Sequence, residues 1–334
     1  MDAVTIVGAG GIGCAVGHAL CAAGWRVQFV DANPAKVRWG RANGVGIEGR
    51  GSFPADFVTF EEWQPDTGRL TLLCTKCYDN EAVLQRLPLN APLLPVQNGF
   101  DRELEGRNHP YEGIASFVSE CLPGQTHTRV TRQGSLHIGP IPGTTPTPDV
   151  ECKVRALHDW LRRVAPFRVK WVTNVLPYKY TKLMYNAAIS PLAAAAGLDN
   201  GELLWLPSAR RLFFELLQEN YAILVGAGMS LAKIGPFHPA TVNQILNHKY
   251  VANALAWAFY PSLRGSYCSM AGDLPKGKTE IDFYNGRLIE LAAERPCPLN
   301  RRVYDLVKRM ECERNKPGLD VLDSLTIDPV LELR

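Results

Sequence analysis

A glycine-rich turn, Gly8-Ala9-Gly10-Gly11-Ile12-Gly13, lies between an apolar run at residues 3–7 and a helical stretch at residues 14–24. That order of strand, turn and helix is what a bound dinucleotide requires. Gly8 turns the chain sharply, Gly10 lets backbone N–H groups approach a pyrophosphate, and Gly13 lets the helix pack close to the strand with its positive N-terminus aimed at the phosphates. A second strand at residues 25–30 ends at Asp31, about 20 residues beyond the glycines, where a carboxylate accepts hydrogen bonds from a ribose diol. The same carboxylate repels a 2′-phosphate, so Asp31 favours NAD(H) over NADP(H). Lys36, Arg38 and Arg41 follow closely, and they would neutralise a phosphate if the loop folded back, which keeps NADP(H) open. Otherwise they form an exposed basic helix face.

At 334 residues the chain is long for one core and suits two domains, with 46% hydrophobic residues to fill them. The 36 basic and 33 acidic residues are mixed along the sequence, with no polybasic tract of the kind nucleic acid or an anionic membrane needs. Small molecules are the expected partners. The N-terminal segment lacks a basic n-region, and no stretch reaches about 18 uninterrupted apolar residues, so a cytoplasmic location is expected. Nine irregularly spaced cysteines read as free thiols in a reducing compartment, and Cys74-Thr-Lys-Cys77 has no second cysteine pair or histidine beside it. No His or Cys/His cluster has metal-ligand spacing, so no metal is expected.

Short apolar runs alternate with helical ones through residue 174, which predicts a doubly wound α/β sheet. Candidate strands fall at residues 4–7, 27–30, 70–75, 93–96, 113–118, 135–138 and 168–172, with a proline-rich loop at 140–148 and a helix at 149–164. Long helical stretches follow at 178–196, 208–227, 239–257, 279–294 and 300–313. The expected organisation is thus a Rossmann-type dinucleotide-binding domain at 1–174, an all-helical substrate and dimerisation domain at 175–318, and a C-terminal tail at 319–334.

Ligands of such sheets sit beyond the carboxyl ends of the strands. Two segments occupy that position: Lys76 follows the strand at 70–75, and Gln97-Asn98-Gly99 follows the strand at 93–96. A third segment is Lys182-Leu-Met-Tyr-Asn186, whose i, i+4 spacing puts an ammonium and an amide on one helix face. Its apolar surroundings imply that Lys182 is partly buried, which lowers a lysine pKa and makes a usable proton donor. In the fourth segment Glu280 and Asp282 head a predicted helix, where carboxylates suit the dipole; one placed beside Lys182 would hold the ammonium.

Taken in order, these segments resemble the ketopantoate reductase (2-dehydropantoate 2-reductase) family. The resemblance runs from Gly8 to about Arg314. It is carried by the glycine turn, Lys76, Val96-Gln-Asn-Gly99, Lys182-Leu-Met-Tyr-Asn186 with Pro191-Leu192, Asn200-Gly-Glu-Leu203, Ser269-Met270 with Asp273, and Thr279-Glu-Ile-Asp282 with Asn285-Gly286. It implies NAD(P)H-dependent reduction of a 2-keto acid, ketopantoate first, by a homodimer. In that reading Lys182 is the general acid and Glu280 orients it. Asn186, Ser190, Asn200 and Ser269 bind substrate, while Gly8, Ala9, Gly10, Gly11, Ile12, Gly13, Asp31, Lys76 and Asn98 line the cofactor. Two departures loosen the substrate assignment: Ser190 stands where the family pattern has asparagine, and Asp31 argues against the NADP preference of pantothenate-pathway members. An NAD-dependent D-2-hydroxyacid dehydrogenase acting on mandelate-like or branched-chain acids is the alternative. A non-catalytic dinucleotide sensor is more remote, because it would lose Lys182 and Glu280.

Overall fold

The computed structural model describes residues 2–314 and 316–325. The chain divides into two compact units, one ending at Lys179 and the other beginning at Tyr180.

The first unit contains β1 (Ala3–Val7), α1 (Gly11–Ala22), β2 (Arg26–Asp31), α2 (Pro34–Asn43), β3 (Val45–Ile47), β4 (Gly51–Phe53), β5 (Asp56–Thr59) and β6 (Leu70–Leu73). It continues with α3 (Asn80–Arg86), β7 (Leu93–Pro95), α4 (Arg102–Glu105), β8 (Tyr111–Ala115), β9 (Val118–Cys121), β10 (His127–Arg132), β11 (Ser135–Pro140), α5 (Pro148–Val164) and β12 (Arg168–Trp171). The main sheet is parallel throughout, in the order β5-β2-β1-β6-β7. Its strands are apolar on both faces because both are covered. Val4, Ile6, Phe29, Phe57, Leu70 and Leu72 share one core with α1 and α5, whereas Val7, Val30, Leu73 and Leu93 pack the opposite core with Trp63 and Val83. A parallel bridge from Val96 to Gly113 links this sheet to a three-stranded one, β12-β11-β8.

The order of strands 1, 2, 6 and 7 agrees with the expected doubly wound sheet. A four-stranded sheet not expected from the sequence, β4-β3-β10-β9, lies against α1. The single strand expected at 113–118 is in fact the end of β8 and the start of β9, separated at Ser116 and Phe117.

The helical unit contains most of α6 (Leu176–Ala196), followed by α7 (Asn200–Trp205), α8 (Pro207–Gly226), α9 (Pro239–Leu246), α10 (Lys249–Leu263), α11 (Ser269–Asp273), α12 (Arg287–Ala292) and α13 (Pro298–Glu313). The helix expected at 239–257 is two helices, α9 and α10, because His248 leaves helical geometry at φ −115° and ψ 87°. On α10, Ala252 and Ala256 are buried while Tyr250 and Trp257 are exposed. The helix expected at 279–294 begins instead as a π turn, Asp282–Gly286, closed by the Gly286 N–H donating to the Ile281 carbonyl at 3.0 Å. The expected C-terminal tail begins with 3-10 turns at Leu319–Leu325, which bury Leu322 and Leu325. The remainder of that tail, 326–334, lies outside the described residues.

Candidate active site

Around the glycine turn the geometry follows from steric demand. Gly8 sits at φ +99°, and a Cβ there would stand 2.7 Å from the backbone of Cys74. A Cβ on Gly13 would meet the Gly8 carbonyl at 2.1 Å, whereas one on Gly10 would meet nothing within 4 Å. Gly8 and Gly13 are therefore required by packing, and Gly10 borders open space. The first turn of α1 carries no side-chain cap and no acidic residue. Such a helix start offers N–H donors and a positive dipole end to an anion, so the turn fits a dinucleotide pyrophosphate.

Asp31 joins this loop directly. Its Oδ2 accepts the Ala9 N–H at 3.0 Å and its Oδ1 accepts the Asn33 N–H at 2.9 Å. Lys36 reaches back from α2, its Nζ donating to the Ala9 carbonyl at 3.0 Å and lying 4.0 Å from Asp31 Oδ2. Arg41 turns elsewhere, to Glu62 and the Phe57 carbonyl, and Arg38 is exposed. Of the three basic residues after β2, one faces the loop.

Lys76 and Asn98, both half-buried, follow β6 and β7. A buried polar network fixes their flanks. Gln97 Nε2 donates to the Thr75 carbonyl at 2.8 Å and to Asn80 Oδ1 at 2.7 Å, and Asn80 Nδ2 donates to Asp101 Oδ2 at 2.7 Å. Neither Asn80 nor Asp101 is among the site residues expected from the sequence. Asn80 alone gives no signal, because two of its partners, Gln97 and Asp101, lie 17 and 21 residues away.

A buried charge cluster in the same unit was also missed. Lys179 Nζ donates to Glu112 Oε2 at 2.6 Å, His109 Nε2 is 2.9 Å from Glu112 Oε1, and Lys179 lies over the Phe100 ring at 4.6 Å. Burial pushes the Glu112 carboxyl up, but the Lys179 ammonium and the His109 hydrogen bond outweigh it and hold the group below its usual range.

In the helical unit, α6 presents Lys182 and Asn186 one turn apart, both half-buried, and Ser190 one turn further, buried. Pro191 lies inside the helix and cannot donate to the Ala187 carbonyl four residues back. Asn285 Nδ2 fills that place at 2.9 Å and also donates to Asn300 Oδ1 at 2.9 Å. Asn300 Nδ2 in turn donates to Asn220 Oδ1 and Glu219 Oε1, both at 2.8 Å, and Asn220 Nδ2 donates to the Met184 carbonyl at 2.9 Å. Asparagines 220, 285 and 300 are fully buried, so α6 is held from behind by an amide network.

The two carboxylates of the fourth segment separate cleanly. Glu280 is buried and accepts the Tyr284 hydroxyl at 3.1 Å, whereas Asp282 is exposed and pairs with Lys308 and Tyr304. Glu311 fixes the backbone beside Glu280, its Oε1 accepting both the N–H and the hydroxyl of Thr279 at 2.7 Å. Asn200 is buried and donates to Ser266 Oγ at 2.8 Å, while its Oδ1 has no hydrogen-bond partner among the described residues. Ser269 is exposed at the start of α11. Among the described residues no group of three His, Cys, Asp or Glu side chains could hold a metal ion, and no helix is long and apolar enough to cross a membrane.

Residues 4–143 match the family described as ketopantoate reductase PanE/ApbA, and residues 174–311 match its C-terminal domain, ketopantoate reductase PanE/ApbA C terminal. A 2-dehydropantoate 2-reductase from Archaeoglobus fulgidus is 24% identical over 92% of this chain and 97% of its own. One from Escherichia coli O157:H7 is 26% identical over 94% and 97%. A solved structure of D-mandelate dehydrogenase with NADH and anilino(oxo)acetate shares the fold at a TM-score of 0.74, with 20% identity, covering 94% of this chain and 100% of that one.

Proposed function

The chain belongs to the ketopantoate reductase family and is an oxidoreductase acting on CH–OH groups; from that premise we propose that it reduces 2-dehydropantoate (ketopantoate) to pantoate with NAD(P)H. The observation that supports this reading most is the Asn285 to Ala187 hydrogen bond. Asn285 lies five residues after Glu280 and Ala187 five after Lys182, so the segments bearing the two proposed catalytic groups are packed together.

A nicotinamide held by these residues would supply the hydride for the keto carbon. Lys182 Nζ stabilises the negative charge growing on the carbonyl oxygen and donates the proton to it. Glu280, kept in place by Tyr284 and by the clamp of Glu311 on Thr279, orients the ammonium. Asn186, Ser190, Asn200 and Ser269 bind the carboxylate and remaining oxygens of the substrate. Gly8, Ala9, Gly10, Gly11, Ile12 and Gly13 hold the pyrophosphate, with Asp31 on the adenosine ribose and Lys76 and Asn98 on the nicotinamide side. The working form is a homodimer, tested by sedimentation equilibrium.

A second reading has its own support. Asp31 places a carboxylate beside the loop where a 2′-phosphate would come, and Ser190 replaces an amide of the family pattern with a shorter hydroxyl. Both suit an NADH-linked D-2-hydroxyacid dehydrogenase for bulky apolar acids. Initial rates with NADH and NADPH against ketopantoate, 2-ketoisovalerate and benzoylformate decide the matter. High kcat/KM for ketopantoate alone supports the first reading, and faster turnover of benzoylformate or 2-ketoisovalerate replaces it with the second. Tight NADH binding without turnover of any keto acid would make the protein a sensor.

A further inference from the structure

Two thiols that the proposed reaction does not use flank the glycine turn. Cys14, in the first turn of α1, is fully buried with its Sγ 3.2 Å from the Ala9 carbonyl oxygen. Cys121, at the end of β9, is half-buried with its Sγ 3.8 Å from the same oxygen. Packing brings them together. β9 runs so close to the start of α1 that a Cβ on Gly11 would stand 1.9 Å from the Ser119 carbonyl, and Ser119 Oγ donates to the Gly11 carbonyl at 2.9 Å. Two residues along the strand and three along the helix return to the same faces, which are those of Cys121 and Cys14. Both thiols point at one acceptor, the Ala9 carbonyl oxygen, which sets the two sulfurs beside each other.

We propose that Cys14 and Cys121 form an oxidation site, in which a hydroperoxide converts the pair to a disulfide that displaces the glycine turn and weakens dinucleotide binding. The Cys121 thiolate attacks a peroxide oxygen; an S–O bond forms, the O–O bond breaks, and the departing oxygen leaves as water or an alcohol after taking a proton. Cys14 Sγ then attacks the Cys121 sulfur. An S–S bond forms, the S–O bond breaks, and water departs with the Cys14 proton. The two thiols lose two electrons in all, and the peroxide gains them.

Cys121 is the attacking thiol for structural reasons. Solvent reaches it and does not reach Cys14. The neighbouring Cys14 thiol, with help from the Lys36 charge and the Thr128 hydroxyl, holds its thiol below the usual value despite burial. Cys21 and Cys74, by contrast, are pushed up to about 12 by burial. The disulfide acts on binding because the Ala9 carbonyl is shared by both sulfurs and Lys36 Nζ, while the Ala9 N–H is held by Asp31. Bringing the sulfurs to about 2.05 Å draws the start of α1 toward β9. Gly11 already leaves no space there, so the turn must shift.

This inference rests on the glycine turn binding a dinucleotide and on nothing about the substrate. The test exposes the full-length protein to hydrogen peroxide, maps disulfides by mass spectrometry of unreduced peptides, and titrates NADH by fluorescence before and after. The expected result is a Cys14 to Cys121 cross-link and an NADH affinity lower by about tenfold, ~1.4 kcal/mol, both reversed by dithiothreitol. Cys14→Ser and Cys121→Ser each remove the cross-link and the loss, measured against their own untreated affinities. No cross-link in the wild-type chain, a Cys74 to Cys77 bond in its place, or a cross-link that leaves NADH affinity unchanged would overturn the proposal. Absence of binding of both NADH and NADPH before oxidation would instead overturn the dinucleotide reading of the turn, while the peptide map still decides whether the thiols pair.

Discussion

Asn285 donates its side-chain amide to the Ala187 carbonyl at 2.9 Å, taking the place that Pro191 leaves empty in α6. A proline in a helix interior removes one donor, and a buried carbonyl left without a partner is costly. Asn285→Ala removes the substitute donor and also strips Asn300 of a partner. The expected loss of stability is about 1–3 kcal/mol, read as a lower urea midpoint at unchanged m-value. Full wild-type stability would mean that another group satisfies Ala187.

Lys182→Ala tests the proposed proton donor. A positioned general acid contributes roughly 10² to 10⁴-fold, so kcat for keto acid reduction should fall by that range. NADH affinity should stay close to wild type, because Lys182 lies on α6 and the glycine turn is built by β1 and α1. Retained turnover would remove Lys182 from the chemistry.

The contrast between Gly13 and Asn285 shows what sequence reading reached. Gly13 is legible because its constraint is local: it stands five positions after Gly8, whose carbonyl excludes a side chain. Lys182 and Asn186 were legible for the same reason, since helical spacing alone puts them on one face. Glu112 and Lys179 are 67 residues apart, Gly46 pairs with His127 across 81 positions in strands of three and six residues, and Thr279 meets Glu311 only because α13 returns. No periodicity encodes such pairs. The π turn after Glu280 was read as an ordinary helix because its residues have helical spacing, and only the Gly286 to Ile281 hydrogen bond reveals the wider turn.

Glu112→Gln probes the buried charge cluster. It leaves the Lys179 ammonium buried without its carboxylate, and breaking such a pair costs about 3–5 kcal/mol. The double change Glu112→Leu with Lys179→Met should recover much of that loss, because apolar replacement of a buried pair is often neutral. The pH dependence carries its own sign. Glu112 is held below its ordinary value of 4.5, so its contribution is complete above that pH and is lost as pH falls through the lower folded value. Denaturant titrations from neutral pH downward should show a shallower acid decline in the double variant than in the wild type. Parallel declines would show that Glu112 takes up its proton equally in both states.

In the proposed cofactor site the Asp31 carboxylate would repel a 2′-phosphate, and Lys36, 4.0 Å from that carboxylate, would offset the repulsion. Two unit charges about 4 Å apart near a protein surface interact by ~4 kcal/mol before salt screening. Removing the carboxylate charge should therefore relieve the 2′-phosphate by at least a third of that. Asp31→Asn keeps the shape of the side chain and an oxygen for the Ala9 or Asn33 N–H, so the turn should persist. The ratio of kcat/KM with NADPH to that with NADH should rise by about tenfold, ~1.4 kcal/mol. Lys36→Ala should move the same ratio downward, since it removes the cation that faces Asp31 and the glycine turn. If neither variant moves the ratio, Asp31 and Lys36 brace the Ala9 peptide and leave cofactor selection to other residues.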